Sequence, residues 1–282
     1  MRIDLSDKRA IVTGASRGIG KAIADAFAHE GSRVALCARS ESAIESAGAE
    51  MTGQAAALIA RSVDVTDTDG VRGFVNEVVE AWGGVDVLVN NAGQGRSGNL
   101  DTLTPEDILE HANILQMGHF RFTQAVVPHM RQQQWGRIIE INALAGTIPT
   151  PEGIPSVINR ASCVALSKSL GMNLAKDGIL VNSLNLGWID TGQWDRHFKE
   201  MPANVSREEF DEMVLKVVPI GRFGKPEDVA GMALFLASEY ASFISAASID
   251  ITGGMAGQIA YFPMLKRDFI QNAQQRLGDT QG

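Results

Sequence analysis

What most constrains this chain is a rhythm of apolar runs and amphipathic stretches. Short apolar runs recur at residues 10–13, 33–37, 57–63, 85–90, 137–141, 180–184 and 247–251. Amphipathic stretches separate them at 18–30, 41–51, 67–82, 105–131, 155–176 and 226–237. The runs are unbroken rather than alternating, as in strands covered on both faces. Strand and helix in turn, joined by right-handed crossovers, predict an α/β fold: a Rossmann-like, doubly wound, seven-stranded parallel sheet with helices on both faces. No repeat or linker-like composition interrupts it, so residues 1–257 read as one domain. The 282 residues, 45% of them hydrophobic, suffice for a single large core.

Composition excludes several function classes. The net charge is −8 and no basic run stands out, so no nucleic-acid partner is expected, since that surface must be basic. Cys37 and Cys163 are the only cysteines. They stand far apart, which predicts neither a disulfide framework nor a metal site. No apolar run reaches the length needed to span a bilayer. The N-terminus leads straight into a strand without an apolar leader. A cytoplasmic protein without membrane attachment is the expectation.

Two segments break the rhythm. Residues 188–218 follow the sixth strand as a long insertion with Trp188, Trp194, Asp195, Arg196 and His197. Open α/β sheets bind ligands at the carboxyl ends of their strands, so this insertion is a candidate lid. In the tail, 258–282, Phe262, Leu265, Phe269, Ala273 and Leu277 recur at helical spacing between Pro263 and Gly278. That pattern predicts an amphipathic helix covered by its own subunit or by a partner.

"TGASRGIG", residues 13–20, lies between the first strand and the first helix. Gly14, Gly18 and Gly20 permit a tight turn, close approach of a phosphate and close helix packing, with the helix N-terminus facing the anion. With Asp64 after the third strand and "NNAG" at 90–93, the chain resembles the short-chain dehydrogenase/reductase family, in its classical branch. The resemblance continues through "GRIIEINALAG" (136–146), "ALSKSLGMNLAKDGILVNSLNLGWIDT" (165–191) and "GRFGKPEDVAGMALFLAS" (221–238). It implies a dinucleotide-binding sheet assembled as a homodimer or homotetramer. It also implies cofactor contacts from Gly14, Ser16, Arg17, Gly18, Ile19 and Gly20. Asp64 and Val65 would meet the adenine, Asn91, Ala92 and Gly93 the ribose region. Gly187, Ile189 and Thr191 would flank the nicotinamide. Where the family selects NAD with an acid ending the second strand, this chain has Ala38 followed by Arg39. Arg17 and Arg39 suit a 2′-phosphate through charge-assisted hydrogen bonds, so NADP(H) is expected over NAD(H).

The same resemblance locates four catalytic positions and finds all four changed. Ala143 stands at the serine position, Ser156 and Arg160 at the tyrosine and lysine positions, and Leu115 at the asparagine position. Leu186 replaces the proline of the following Pro-Gly pair. A serine hydroxyl is a far weaker acid than a phenol, and arginine stays protonated. An arginine instead binds carboxylate or phosphate in a fork. The expectation is an atypical NADP(H)-dependent oxidoreductase of a small molecule. Ser156 and Arg160 would contact an anionic or carbonyl substrate, and ordinary ketone reduction is not expected. Water, Glu152, Asn113, Gln116, His111 or His197 would then move the proton. Two alternatives stay open: a non-redox lyase, isomerase or dehydratase, and a nucleotide-binding pseudoenzyme or regulatory subunit.

Overall fold

The computed structural model describes residues 3–51, 53–192, 194–257 and 269–271. Seven strands form one sheet: β1 (Arg9–Thr13), β2 (Arg33–Ala38), β3 (Ala57–Ser62), β4 (Val87–Asn90), β5 (Gly136–Ala143), β6 (Ile179–Leu186) and β7 (Ser248–Ile251). Their order is β3-β2-β1-β4-β5-β6-β7, and every neighbouring pair is parallel. The order reverses between β1 and β4, which opens a crevice at the carboxyl ends of those strands.

The unbroken runs divide by residue parity into two cores. Ala10, Val12, Val34, Leu36, Ile139 and Ile141 face one side, with α1 (Gly18–His29) and α9 (Pro226–Ala237). Ile11, Ala35, Cys37, Leu88 and Ile138 face the other, with α3 (Thr68–Trp82), α5 (Gln116–Gln133) and the end of α6 (Ile154–Leu174). Side chains alternate across a strand, so a run apolar at every position must be buried twice. Further helices among the described residues are α2 (Glu41–Met51), α4 (Pro105–Ile114), α7 (Trp194–Phe198) and α8 (Arg207–Leu215).

The stretch 105–131 forms two helices instead of one. The chain bends at Leu115, whose φ and ψ are −83° and −71°. Neither proline nor glycine marks the bend. The Leu115 side chain is fully buried and closes the space above Gly93, where an added Cβ would lie 2.3 Å from Leu115 Cδ1. Tertiary packing, invisible to a periodicity argument, places the break there.

The insertion 188–218 folds as α7, α8 and connecting loops around its own apolar cluster. Trp194, Val205, Phe210, Met213 and Val214 are its buried members. Ser206 and Glu209 form a capping box that starts α8. Of the tail, all but 269–271 lies outside the described residues; Phe269 packs against the insertion's cluster.

Candidate functional site

The glycine turn is braced from beneath. Gly14 and Gly18 take φ of 64° and 59°, left-handed conformations that favour glycine. The buried Thr13 hydroxyl accepts from the N–H groups of Asn91 (2.9 Å) and Ala92 (3.0 Å). Asn91 Nδ2 donates to the carbonyls of Thr13 (2.9 Å) and Gly14 (3.1 Å). A Cβ on Gly20 would lie 2.4 Å from Asn91 Nδ2 and 2.5 Å from the Gly14 oxygen. The third motif glycine therefore lets β4's end and the turn lock together. Ser16 is half-buried in the turn, and Ile19 packs against the first core. Asn91 is engaged as a brace, a role its sequence position did not suggest.

Two exposed guanidiniums flank the turn. Arg17 is exposed at the N-terminus of α1 and gives no side-chain cap. Arg39 is exposed beyond β2, and neither arginine forms an ion pair among the described residues. The half-buried Ala38 supplies no carboxylate between them. The exposed Asp64 accepts from the Thr66 N–H and hydroxyl, both at 2.8 Å. The Thr66 N–H, against the opposing effect of burial, holds this carboxyl below its ordinary range; the Thr66 hydroxyl, Arg39 and Arg121 add to it. Val65 is buried against Gly118, and its carbonyl accepts from Arg121 Nη1 at 3.2 Å. The cradle therefore fits a phosphorylated dinucleotide: left-handed glycines, a helix N-terminus and two unpaired cations.

The chain leaving β6 covers this cradle. Gly187 lies against Thr252, where an added Cβ would approach the Thr252 Cα to 2.9 Å. Ile189 is buried and bridged to Gly224, with Asp190 N–H donating to the Gly224 carbonyl at 2.7 Å. The exposed Thr191 lies over Gly18, 3.4 Å from the position a Cβ there would take. Gly93, Ala92 and Asn91 line the opposite edge at the end of β4.

Ser156 and Arg160 occupy the first turns of α6, one helical turn apart, and they have different surroundings. The Ser156 hydroxyl accepts from the Arg96 N–H at 2.7 Å and donates to the Arg96 carbonyl at 2.9 Å. It clasps the loop after β4. The Arg96 guanidinium meets Asp107 and, at 2.8 Å, Glu110 on α4. A bridge between Gly98 and Gly153 stitches the same loop to α6. Arg160 lies deeper, donating to the Ile141 carbonyl at 2.9 Å. Ala143 is half-buried at the end of β5, and Leu115 is sealed in the core.

Three of the proposed proton carriers, His111, Asn113 and His197, are engaged elsewhere. The buried His111 lies with Nε2 2.8 Å from the Gln94 carbonyl, which it can donate to while Nδ1 accepts from the Asn159 amide at 2.9 Å. Asn113 holds Arg121, with its Oδ1 2.7 Å from Nη2. His197 is exposed in the insertion, 3.8 Å from Glu200 and tilted on Trp194. Gln116 is half-buried and Glu152 exposed.

One cluster escaped sequence reasoning. His119 on α5 and Glu140 on β5 are both 2% exposed, and His119 Nδ1 lies 2.5 Å from Glu140 Oε2. The two atoms are poorly aligned for a hydrogen bond, so the contact is mainly one of charge. Asn90 Nδ2 donates to Glu140 Oε1 at 2.9 Å. Burial opposes the charged ring, but Glu140 with Cys163 outweighs it, and His119 is pushed up to about 10. A charged letter inside "RIIEINA" was the available signal, since a strand buried on both faces must pair any acid it carries.

A cavity of about 310 Å³ lies between α9, the end of β7 and the return of the insertion, bounded by Trp188, Ile220, Arg222, Asp228, Met232 and Asp250. It touches neither Ser156 nor Arg160. Among the described residues no acid, histidine or cysteine cluster could hold a metal, and no helix is long and apolar enough to cross a membrane.

Comparison with known proteins places this geometry. The family profile described as "Enoyl-(Acyl carrier protein) reductase" matches residues 14–256. The 3-oxoacyl-[acyl-carrier-protein] reductase of Thermotoga maritima is 35% identical over 251 residues, 89% of this chain and 98% of that protein. L-sorbose reductase of Gluconobacter frateurii, solved with NADPH and L-sorbose, superposes with a TM-score of 0.86 at 31% identity, covering 90% of this chain and 98% of its own. A short-chain oxidoreductase of Pseudomonas aeruginosa PAO1, described as containing an atypical catalytic centre, superposes with a TM-score of 0.84 at 31% identity, covering 89% and 98%.

Proposed function

The chain belongs to the short-chain dehydrogenase/reductase family, a family of oxidoreductases, and on that premise we propose that it is an NADP(H)-dependent oxidoreductase of a small molecule whose reaction centre does not use the family's tyrosine and lysine. The observation that carries this reading is a contrast. The glycine turn and its Thr13–Asn91 brace are complete, while the Ser156 hydroxyl is engaged on both sides by the Arg96 backbone.

When bound, NADP(H) supplies or accepts a hydride; all else falls to the chain's own groups. Gly14, Ser16, Gly18, Ile19 and Gly20 would hold the pyrophosphate at the helix N-terminus. Arg17 and Arg39 would take the 2′-phosphate, and Asp64 and Val65 would border the adenine. Asn91, Ala92 and Gly93, with Gly187, Ile189 and Thr191, would bracket the nicotinamide end. Ser156 positions the loop 93–98 that walls the substrate, and Arg160 contributes a buried positive charge. Water is the proton carrier that fits, because the serine hydroxyl is occupied and a guanidinium keeps its proton. That arrangement favours substrates whose reduction does not need a strong acid beside the reacting atom. A homodimer or homotetramer in the cytoplasm completes the reading. The relatives support it: the Gluconobacter enzyme was solved with NADPH, and the Pseudomonas protein carries its own atypical centre.

Fluorescence titration with NADPH and NADH tests this directly. NADPH is expected to bind about ten-fold or more tightly than NADH, a preference that Arg39→Ala reduces. Equal or tighter NADH binding overturns the role of Arg17 and Arg39. Turnover of simple ketones at rates ordinary for the family would overturn the rebuilt centre. Tight NADPH binding with no turnover of any carbonyl or conjugated acceptor would instead favour a nucleotide-binding regulatory protein.

A further inference from the structure

Arg160 is a buried cation without a counter-charge. It is 8% exposed. Its Nη1 donates to the Ile141 carbonyl at 2.9 Å, and no carboxylate among the described residues pairs with it. Three acids of neighbouring elements are matched elsewhere: Asp107 and Glu110 face Arg96, and Glu140 faces His119. Burial pulls the guanidinium below its ordinary range, and the Cys163 thiol is the neighbour that opposes this. The remaining side-chain nitrogens make no hydrogen bond among the described residues, yet they are not among the fully buried unpartnered atoms. The unpaired edge of the fork therefore reaches accessible space. The Arg160 backbone is held in place. Asn142 Nδ2 holds the Arg160 carbonyl at 3.0 Å, and the turn at Gly146 packs on the Arg160 backbone. A guanidinium in this position is unfavourable alone and favourable when an anion meets it.

We propose that the substrate of this site is a small carboxylate, bound through its carboxylate group by Arg160. The proposal rests on the oxidoreductase reading above and adds the substrate's chemical class. One guanidinium matches one negative charge, and its planar fork matches the two carboxylate oxygens. A phosphate dianion would leave its second negative charge without a cation here. The next candidate, Arg96, is neutralised twice. The other catalytic-position side chains, Ala143 and Leu115, carry no charge, so the remainder of the ligand needs no second ionic group.

Ligand-detected NMR titration of the full chain, with and without NADP+, provides the test. The probes are butanoate, its uncharged isostere butanamide, and inorganic phosphate. Butanoate is expected to bind at least about ten-fold more tightly than butanamide and more tightly than phosphate. Arg160→Gln should abolish the difference and Arg160→Lys should retain part of it. Equal binding of the two organic probes, tighter phosphate, or no binding by protein that does bind NADP+ overturns the proposal. So does a butanoate preference that survives Arg160→Gln in folded protein. If that variant does not fold, the unaltered protein and Arg160→Lys decide. Failure of NADP+ itself to bind sinks the cofactor reading instead, and the cofactor-free titration then judges Arg160.

Discussion

At the residue scale the chain's buried charges behave in two ways. His119 has found a partner, whereas Arg160 awaits one. The His119 case has a signed consequence. Its folded pKa, about 10, lies above the ordinary 6.5. Its contribution to stability is therefore complete below pH 6.5 and is lost as pH rises through about 10. Glu140→Gln leaves the imidazole buried without its counter-charge. It should cost roughly 3–5 kcal/mol near neutral pH and remove that alkaline loss. Urea unfolding from neutral to alkaline pH reads both effects, and an unchanged alkaline limb in the variant would show that another group governs it. Asn90, His119 and Glu140 lie far apart in the sequence, so their pairing is visible only once β4, α5 and β5 are side by side.

At the element scale the β1–α1 turn and the end of β4 act as one unit. Gly20 has no room for a methyl group between Asn91 Nδ2 and the Gly14 oxygen. Because backbone is one of the obstacles, Gly20→Ala is expected to cost about 1–3 kcal/mol. It should also weaken cofactor binding by moving the turn. Thermal unfolding with NADPH titration checks this; a variant of unaltered stability and affinity would show that the turn yields easily. The glycine pattern was legible in sequence because left-handed φ values and close approach select glycine over other residues. The bend at Leu115 was not legible, because no breaker residue encodes it. Nor was the Ser156 clasp, since a serine's side-chain partner can lie anywhere within reach of the folded backbone, and here it is sixty positions away.

For the whole molecule, the insertion carries an apolar cluster of its own, and Trp188, Leu215 and Val218 join it to Leu144 and Met255. Trp194 packs on Trp188 at 4.9 Å and, beyond the insertion, on Phe223 at 5.1 Å. Trp194→Ala should therefore open that cluster, at about 3–5 kcal/mol locally. The sheet should keep its unfolding midpoint nearly unchanged. Hydrogen exchange by mass spectrometry would show faster exchange over 194–215 alone; uniform acceleration across the sheet would mean the insertion is integral to the core.

The sequence by itself determined the class of fold, the order of its elements and the place of the glycine turn. Each of these depends on local periodicity or on a contiguous motif whose physics acts within a few residues. The tertiary structure alone decided which polar groups are satisfied. It gave Ser156 to the Arg96 backbone, Asn91 to the glycine turn and Glu140 to His119, and it left Arg160 buried with an open edge. Burial and charge pairing are properties of residues brought together from distant positions, and low dielectric makes their balance steep. That balance, set by packing and not by the catalytic letters, is what the chemistry of this site proceeds from.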